Sequence, residues 1–203
     1  KEFKEFKDLY GRPPPCFLTS ISLPPPPDNA LQPVMDRKIR SFVSRTGRLL
    51  QRYNNGCRQV VGCIPYRFTE TQVPSADGAV AKELEVLVIS SQKGQSKMFP
   101  KGGWERDETI EDGALRETEE EAGVAGCLGV QLGRWIFLSK SQGTSREGFM
   151  FPLLVKEELD FWSEKDLRRR DWMKAADARK ALQYPWMKEA LDELVRRQQD
   201  GSL

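Results

Sequence analysis

Apolar positions gather into short β-branched runs separated by polar and glycine-rich breaks. Residues 58–68 (RQVVGCIPYRF) and 83–91 (ELEVLVISS) have the length and composition of strands. Residues 98–101 form a brief extended piece ending at Gly102 and Gly103, and residues 127–139 and 148–155 supply further strand candidates. Two segments read as helices. Over residues 109–122, Thr109 is placed as the N-cap, Asp112 at the N3 position of a near capping box, and Gly123 as the stop. Ile110, Ala114 and Leu115 form that helix's apolar side. Pro185 opens a last helix running to about Gln199, with Trp186, Ala190, Leu191 and Leu194 on one face. The pattern predicts a mixed α/β (α+β) domain without internal repeats.

The pattern changes near residue 35. Eight of the 13 prolines precede it, in runs at 13–15 and 24–27 plus Pro33. Such a stretch favours polyproline II and has little apolar surface to pack, so residues 1–34 are expected to be a disordered proline-rich tail. Residues 35–56 are a basic lead-in, and residues 57–199 the folded domain. Met35 is a candidate start, which makes the tail an upstream extension. The Arg- and Ser-rich run from Met35 has some character of a mitochondrial presequence but continues directly into the domain. Cytoplasm, nucleus and mitochondrion all stay open.

Composition narrows the chemistry. With 203 residues and no histidine, the chain has no Ser-His-Asp or Cys-His dyad, no histidine base and no histidine-containing zinc site. The four cysteines (Cys16, Cys57, Cys63, Cys127) contain no C-x-x-C pair and read as reduced, packed thiols. No run of 18 apolar residues exists to cross a membrane as a helix. Acid–base and metal chemistry must therefore come mainly from carboxylates. The net charge of +2 conceals segregation: residues 37–69 hold eight basic side chains and no acidic one, whereas residues 105–121 hold nine Asp or Glu against two Arg. Such a pairing suits a polyanion gripped beside bound cations, although two solvated faces would look alike. The basic block lacks the interleaved aromatics of a single-strand platform, so nucleic acid is not an expected partner. The oligomeric state stays open, with a monomer favoured.

The acidic block carries the informative spacing. Glu117, Glu120 and Glu121 are related by i, i+3 and i+4, which converges their carboxylates on one side of the helix. Like charges at this spacing cost about 0.2–0.5 kcal/mol per pair. They also occupy the last turn, where the negative end of the helix dipole disfavours acids. Clustered oxygen ligands in so unfavourable a place make sense when hard divalent cations neutralise them, and Mg²⁺ or Mn²⁺ suits an all-carboxylate set.

From Gly102 to Val124 the chain reads GGWERDETIEDGALRETEEEAGV, which fits Gly-x5-Glu-x7-Arg-Glu-U-x-Glu-Glu-x-Gly-U, U being a bulky apolar residue. The chain resembles a Nudix hydrolase. One position departs: Thr118 fills an apolar slot, which implies slightly poorer packing beneath the helix. The resemblance implies the Nudix α/β/α sandwich, a mixed sheet with the box helix on one face and the C-terminal helix on the other. It implies Glu117 and Glu121 as principal metal ligands with the Gly102 carbonyl, and Glu120 as base or further ligand. Arg116 would hold a box carboxylate in place, Glu108 would brace the loop to the helix, and Gly102 and Gly103 would let the backbone turn tightly beside the metal. Gly123 completes the box.

The implied reaction is hydrolysis of a phosphoanhydride, for which two cations about 3.5–4 Å apart can bridge phosphate oxygens and acidify water. Sequences around the box (FPKGGWE, EEAGV, RQVVGCIPYR, YPWMKEAL) are similar to the diphosphoinositol polyphosphate phosphohydrolase branch, particularly its plant members. That branch implies diphosphoinositol polyphosphates and dinucleoside polyphosphates as substrates. Within it, Arg58, Ser90, Ser91, Gln92, Lys97 and Lys101 match stretches that contact substrate phosphates; Lys97 reads equally as a solvated loop lysine. The alternatives are an ADP-ribose- or NADH-type nucleotide pyrophosphatase, or a non-catalytic Nudix-fold binding module. All four box glutamates are present, which favours an enzyme.

Overall fold

The computed structural model describes residue 45 and residues 47–74, 80–92, 94, 96–139 and 143–203. The expected proline-rich tail and Cys16 lie outside them. Nine strands form one sheet: β1 (Tyr53–Asn54), β2 (Cys57–Pro74), β3 (Val80–Ser90), β4 (Lys97–Met98), β5 (Lys101–Gly103), β6 (Val124–Leu128), β7 (Gly133–Leu138), β8 (Ser145–Glu158) and β9 (Arg170–Lys174). Three helices are described: α1 (Ile110–Ala122), α2 (Ala175–Ala181) and α3 (Pro185–Gln199).

The sheet is mixed. β2 pairs in parallel with β8, from Arg58↔Arg146 to Tyr66↔Leu154. The remaining ladders are antiparallel: β1, β3 and β5 pair with β2, β6 and β7 with the far edge of β8, and β4 and β9 with opposite edges of β3.

Period-2 alternation on β2 places the two layers. A Cβ on Gly113 of α1 would meet Val61 Cγ2 at 3.0 Å, so Val61 faces the box helix. Its neighbour Val60 points the other way: a Cβ on Gly148 would lie 3.6 Å from Val60 and 3.5 Å from Trp186 of α3. The small residues Gly113, Ala114 and Ala122 let α1 sit close against the strands. On the opposite face, Met187, Leu191 and Leu194 of α3 are buried. Each stabilises the fold by about 1.5–3 kcal/mol relative to exposure.

The expected capping of α1 is realised. Thr109 Oγ1 accepts from the Asp112 N–H at 3.1 Å, and Gly123 closes the helix in the left-handed region at φ 62°. Thr118 is fully buried, and its hydroxyl donates to Ala114 O at 2.7 Å.

Three expectations need correcting. The single strand over 127–139 is two: β6 and β7 are separated where Gly129 and Leu132 bond sideways to Pro152 and Met150 of β8. The extended piece over 98–101 is likewise divided, since Pro100 cannot donate to a ladder and its carbonyl accepts from Cys63 N. The cysteines are not uniformly packed, for Cys63 is buried but Cys127 is exposed. Burial pushes the Cys63 thiol up to about 12, so it is inert.

Candidate active site

The box helix and the β5 loop meet at the three carboxylates. Glu121 Oε2 accepts from the Lys101 backbone N–H at 2.8 Å, and a Cβ on Gly102 would lie 1.8 Å from Glu117 Oε2. Only a glycine lets the loop backbone come this close to Glu117. Arg116 braces the arrangement. Its Nε and Nη2 take Glu108 at 2.9 and 2.8 Å, and Nη2 also reaches Gly103 O at 3.0 Å. Its Nη1 donates to Glu117 Oε1 at 2.8 Å and, at 3.5 Å, to Glu120. Glu108 in turn accepts from the Glu105 N–H at 3.0 Å. Arg116 and Glu108 thus join loop to helix.

The dipole conflict visible in the sequence is resolved from outside the helix. α1 has no basic residue in its last turn. Instead, residues 159–170 wrap its C-terminal end. Glu164 N–H donates to Glu120 O at 3.1 Å, Leu159 N–H to Gly123 O at 2.8 Å, and Arg170 Nη1 to Ala122 O and Gly123 O at 3.2 and 2.9 Å. Trp162 lies against Gly123 and beneath the Arg170 guanidinium, 4.3 Å from ring centroid to Cζ. Arg168, 8% exposed, donates Nη2 to Glu121 Oε1, Nε to Glu164, and Nη1 to Ser90 O at 3.2 Å.

The carboxylates feel their crowding. Burial, opposed by Arg116 and reinforced by Glu117, pushes Glu120 up to about 7. Glu121 is raised by burial against the pull of Lys101 and Arg168, and Glu117 by burial against Arg116. Buried oxygen donors that resist ionising are a donor set suited to a hard dication. Among the described residues no three acidic or thiol side chains converge on a common point, since Glu117 is held by Arg116 and Glu121 by Arg168.

A cationic group stands beside them. Arg58 and Arg146 are direct partners across the parallel β2–β8 register. A Cβ on Gly103 would meet Arg58 Nη2 at 2.6 Å, so the guanidinium lies against the loop. Burial and then Arg146 hold Arg58 below its ordinary value, and burial and then Arg48 do so for Arg146. Burial likewise lowers Lys101, opposed by Glu121.

The other residues expected to bind substrate are differently placed. Ser90 Oγ accepts from Arg169 N–H at 3.0 Å, Ser91 Oγ accepts weakly from Ser96 N–H at 3.4 Å, and Gln92 is exposed in the turn. Lys97 is paired with Asp171, which accounts for it without substrate. A polar cavity of about 490 Å³ opens among Ser90, Lys165, Arg168 and Arg169. Sequence reading missed Arg146, Arg168 and Arg170. The run Arg168-Arg169-Arg170 was a visible charge cluster, but nothing in the sequence tied it to the box.

A mixed sheet between helices, with a box helix presenting carboxylates to a glycine loop, is the arrangement that the resemblance to Nudix hydrolases implies. The NUDIX domain family profile matches residues 72–194. Nudix hydrolase 18, mitochondrial, of Arabidopsis thaliana is 64% identical over 156 residues, covering 77% of this chain and 86% of that protein. Nudix hydrolase 17, mitochondrial, of the same plant is 59% identical over 160 residues, 79% and 86% of the two chains. Mouse diphosphoinositol polyphosphate phosphohydrolase 3-alpha is 38% identical over 105 residues, 50% of this chain and 62% of that one. Among solved structures, a C. elegans Ap4A hydrolase binary complex has a TM-score of 0.52 at 19% identity, covering 70% of this chain and 98% of that chain. The chain belongs to the Nudix family and is a Nudix-type pyrophosphohydrolase. Nudix hydrolases generally use divalent metals.

Proposed function

We propose that this enzyme hydrolyses a diphosphate bond in a densely phosphorylated small molecule, a diphosphoinositol polyphosphate or a diadenosine polyphosphate, with Mg²⁺ or Mn²⁺. One observation carries the reading: Arg58, neighbour of Arg146 across the β2–β8 register, stands against the same Gly102–Gly103 loop that touches Glu117 and Glu121. Neighbouring guanidiniums beside the metal-ligand loop raise the local positive potential, which favours a substrate rich in phosphate.

In this reading Glu117, Glu121 and the Gly102 carbonyl hold the metal, which supplies Lewis acidity and neutralises phosphate charge. Glu120, poised at about 7, takes the proton from the attacking water. Arg58, Arg146 and Lys101 hold the substrate phosphates, and Arg116 with Glu108 keeps the loop and the helix in register. The Arg- and Ser-rich run after Met35 and the names of the two plant relatives support a mitochondrial location.

Relative kcat/KM on diphosphoinositol pentakisphosphate, diadenosine hexaphosphate and ADP-ribose tests the substrate class. Preference for ADP-ribose would overturn it.

A further inference from the structure

Arg168 belongs to no recognisable motif, yet it is as buried as the carboxylates it serves. Its guanidinium is fully committed: Nη2 to Glu121, Nε to Glu164, and Nη1 to Ser90 O at 3.2 Å. Each oxygen of Glu121 in turn has one donor. Oε1 takes Arg168, and Oε2 takes the Lys101 N–H at 2.8 Å. Both oxygens of a residue assigned to metal therefore already have donors, and one of the donors carries a full positive charge.

We infer that Arg168 is an internal counter-ion for Glu121, and that a divalent cation must compete with it for this carboxylate. The inference rests on the proposed role of Glu121 as a metal ligand. A buried carboxylate cannot be left without a partner, because isolated buried charge is strongly destabilising. A guanidinium beside an incoming dication is repulsive, so the two cannot share the carboxylate without loss. Residues 159–170 supply a cation that keeps the acidic helix end folded before metal arrives, and metal binding is an exchange. The fork geometry matters, since only a planar guanidinium spans Glu121, Glu164 and the Ser90 carbonyl together.

The test is Mn²⁺ affinity, measured by titration calorimetry or by the loss of the free-ion resonance signal, together with melting temperature in chelator and in Mn²⁺. Arg168→Gln should bind Mn²⁺ about tenfold more tightly, the scale of one charge-assisted hydrogen bond relinquished. It should melt lower in chelator and gain more from Mn²⁺ than the parent protein does. Folding only in Mn²⁺ would be the same result in stronger form. If Arg168→Gln folds in neither condition, Arg168→Lys carries the test: it keeps the charge, loses the fork, and should bind Mn²⁺ a few-fold more tightly. Mn²⁺ affinity unchanged or weakened in the folded variant overturns the competition and makes Arg168 a residue that positions Glu121. Glu121→Gln separates the two levels. Parent-like Mn²⁺ binding in that variant would remove the metal-ligand reading itself, whereas lost binding there with an unchanged Arg168 variant would remove only the competition.

Discussion

The Gly102 backbone lies directly against the Glu117 carboxylate, so closely that a methyl group on Gly102 would stand 1.8 Å from Glu117 Oε2. Gly102→Ala must therefore push the flexible end of Glu117 aside. Stability should fall by about 1–3 kcal/mol, the usual cost of overpacking, while metal affinity and kcat should fall at least about tenfold. Titration with Mn²⁺ and steady-state kinetics check this; a variant with parent-like metal affinity would show that Glu117 is not a ligand.

Glu120 shares the site face of α1 with Glu117 and Glu121, and Arg116 Nη1 donates to it at 3.5 Å. Glu120→Gln preserves size but cannot accept a proton. The expected loss in kcat is about 10²–10⁴, with folding retained. Excess metal should not rescue it, whereas excess metal should partly rescue Glu117→Gln. Rescue of Glu120→Gln would make this residue a ligand instead of the base.

For the cationic group, Arg58→Ala and Arg146→Ala should each raise KM most for the most phosphorylated substrate. Raising the salt concentration should narrow the difference between variant and parent, because screening weakens the same attraction. Equal losses on a nucleoside diphosphate and an inositol pyrophosphate would remove these arginines from substrate binding.

The raised carboxyl groups give the metal-free protein a definite pH response. Glu120 goes from an ordinary 4.5 to about 7, and Glu121 is displaced in the same direction. The folded state therefore holds these protons more tightly than the unfolded state does. That stabilisation is complete below about 4.5 and is lost as pH rises to about 7. In chelator, the melting temperature should decline across this window, and Glu120→Gln should flatten the decline. Parallel profiles for parent and variant would exclude Glu120 as its source.

Much of this architecture was legible because the signals were local. The cap at Thr109, the stop at Gly123 and the Pro185 opening of α3 depend on residues within a few positions of each other. So does the i, i+3, i+4 placement of Glu117, Glu120 and Glu121 on one helix, although among the described residues no three acidic side chains meet at a common point. Arg146 was not legible: it matters only because β8 lies parallel to β2, a pairing that no short spacing encodes. Arg168 was hidden for the same reason, lying 47 positions from Glu121. Even the conflict between acids and helix dipole was readable, but its solution by Arg168 and Arg170 was not. Residues such as Ser90 and Lys97 show the opposite limit: family position draws attention to them, while a hydrogen bond from Arg169 and an ion pair with Asp171 are what the structure shows of them.

The parallel pairing of Arg58 with Arg146 also has a kinetic meaning. Eighty-eight positions separate the two, as they separate Gln59 from Glu147, whose side chains bond at 2.7 Å. Closing so long a loop costs entropy before any contact repays it, and such pairings slow folding. The backbone bonds and the N-terminal cap of the box helix join only near neighbours in the chain. During refolding, helical signal should accordingly appear before the protein can bind a polyanion such as inositol hexakisphosphate, and the interval between the two measures the time the chain needs to bring its distant arginines together.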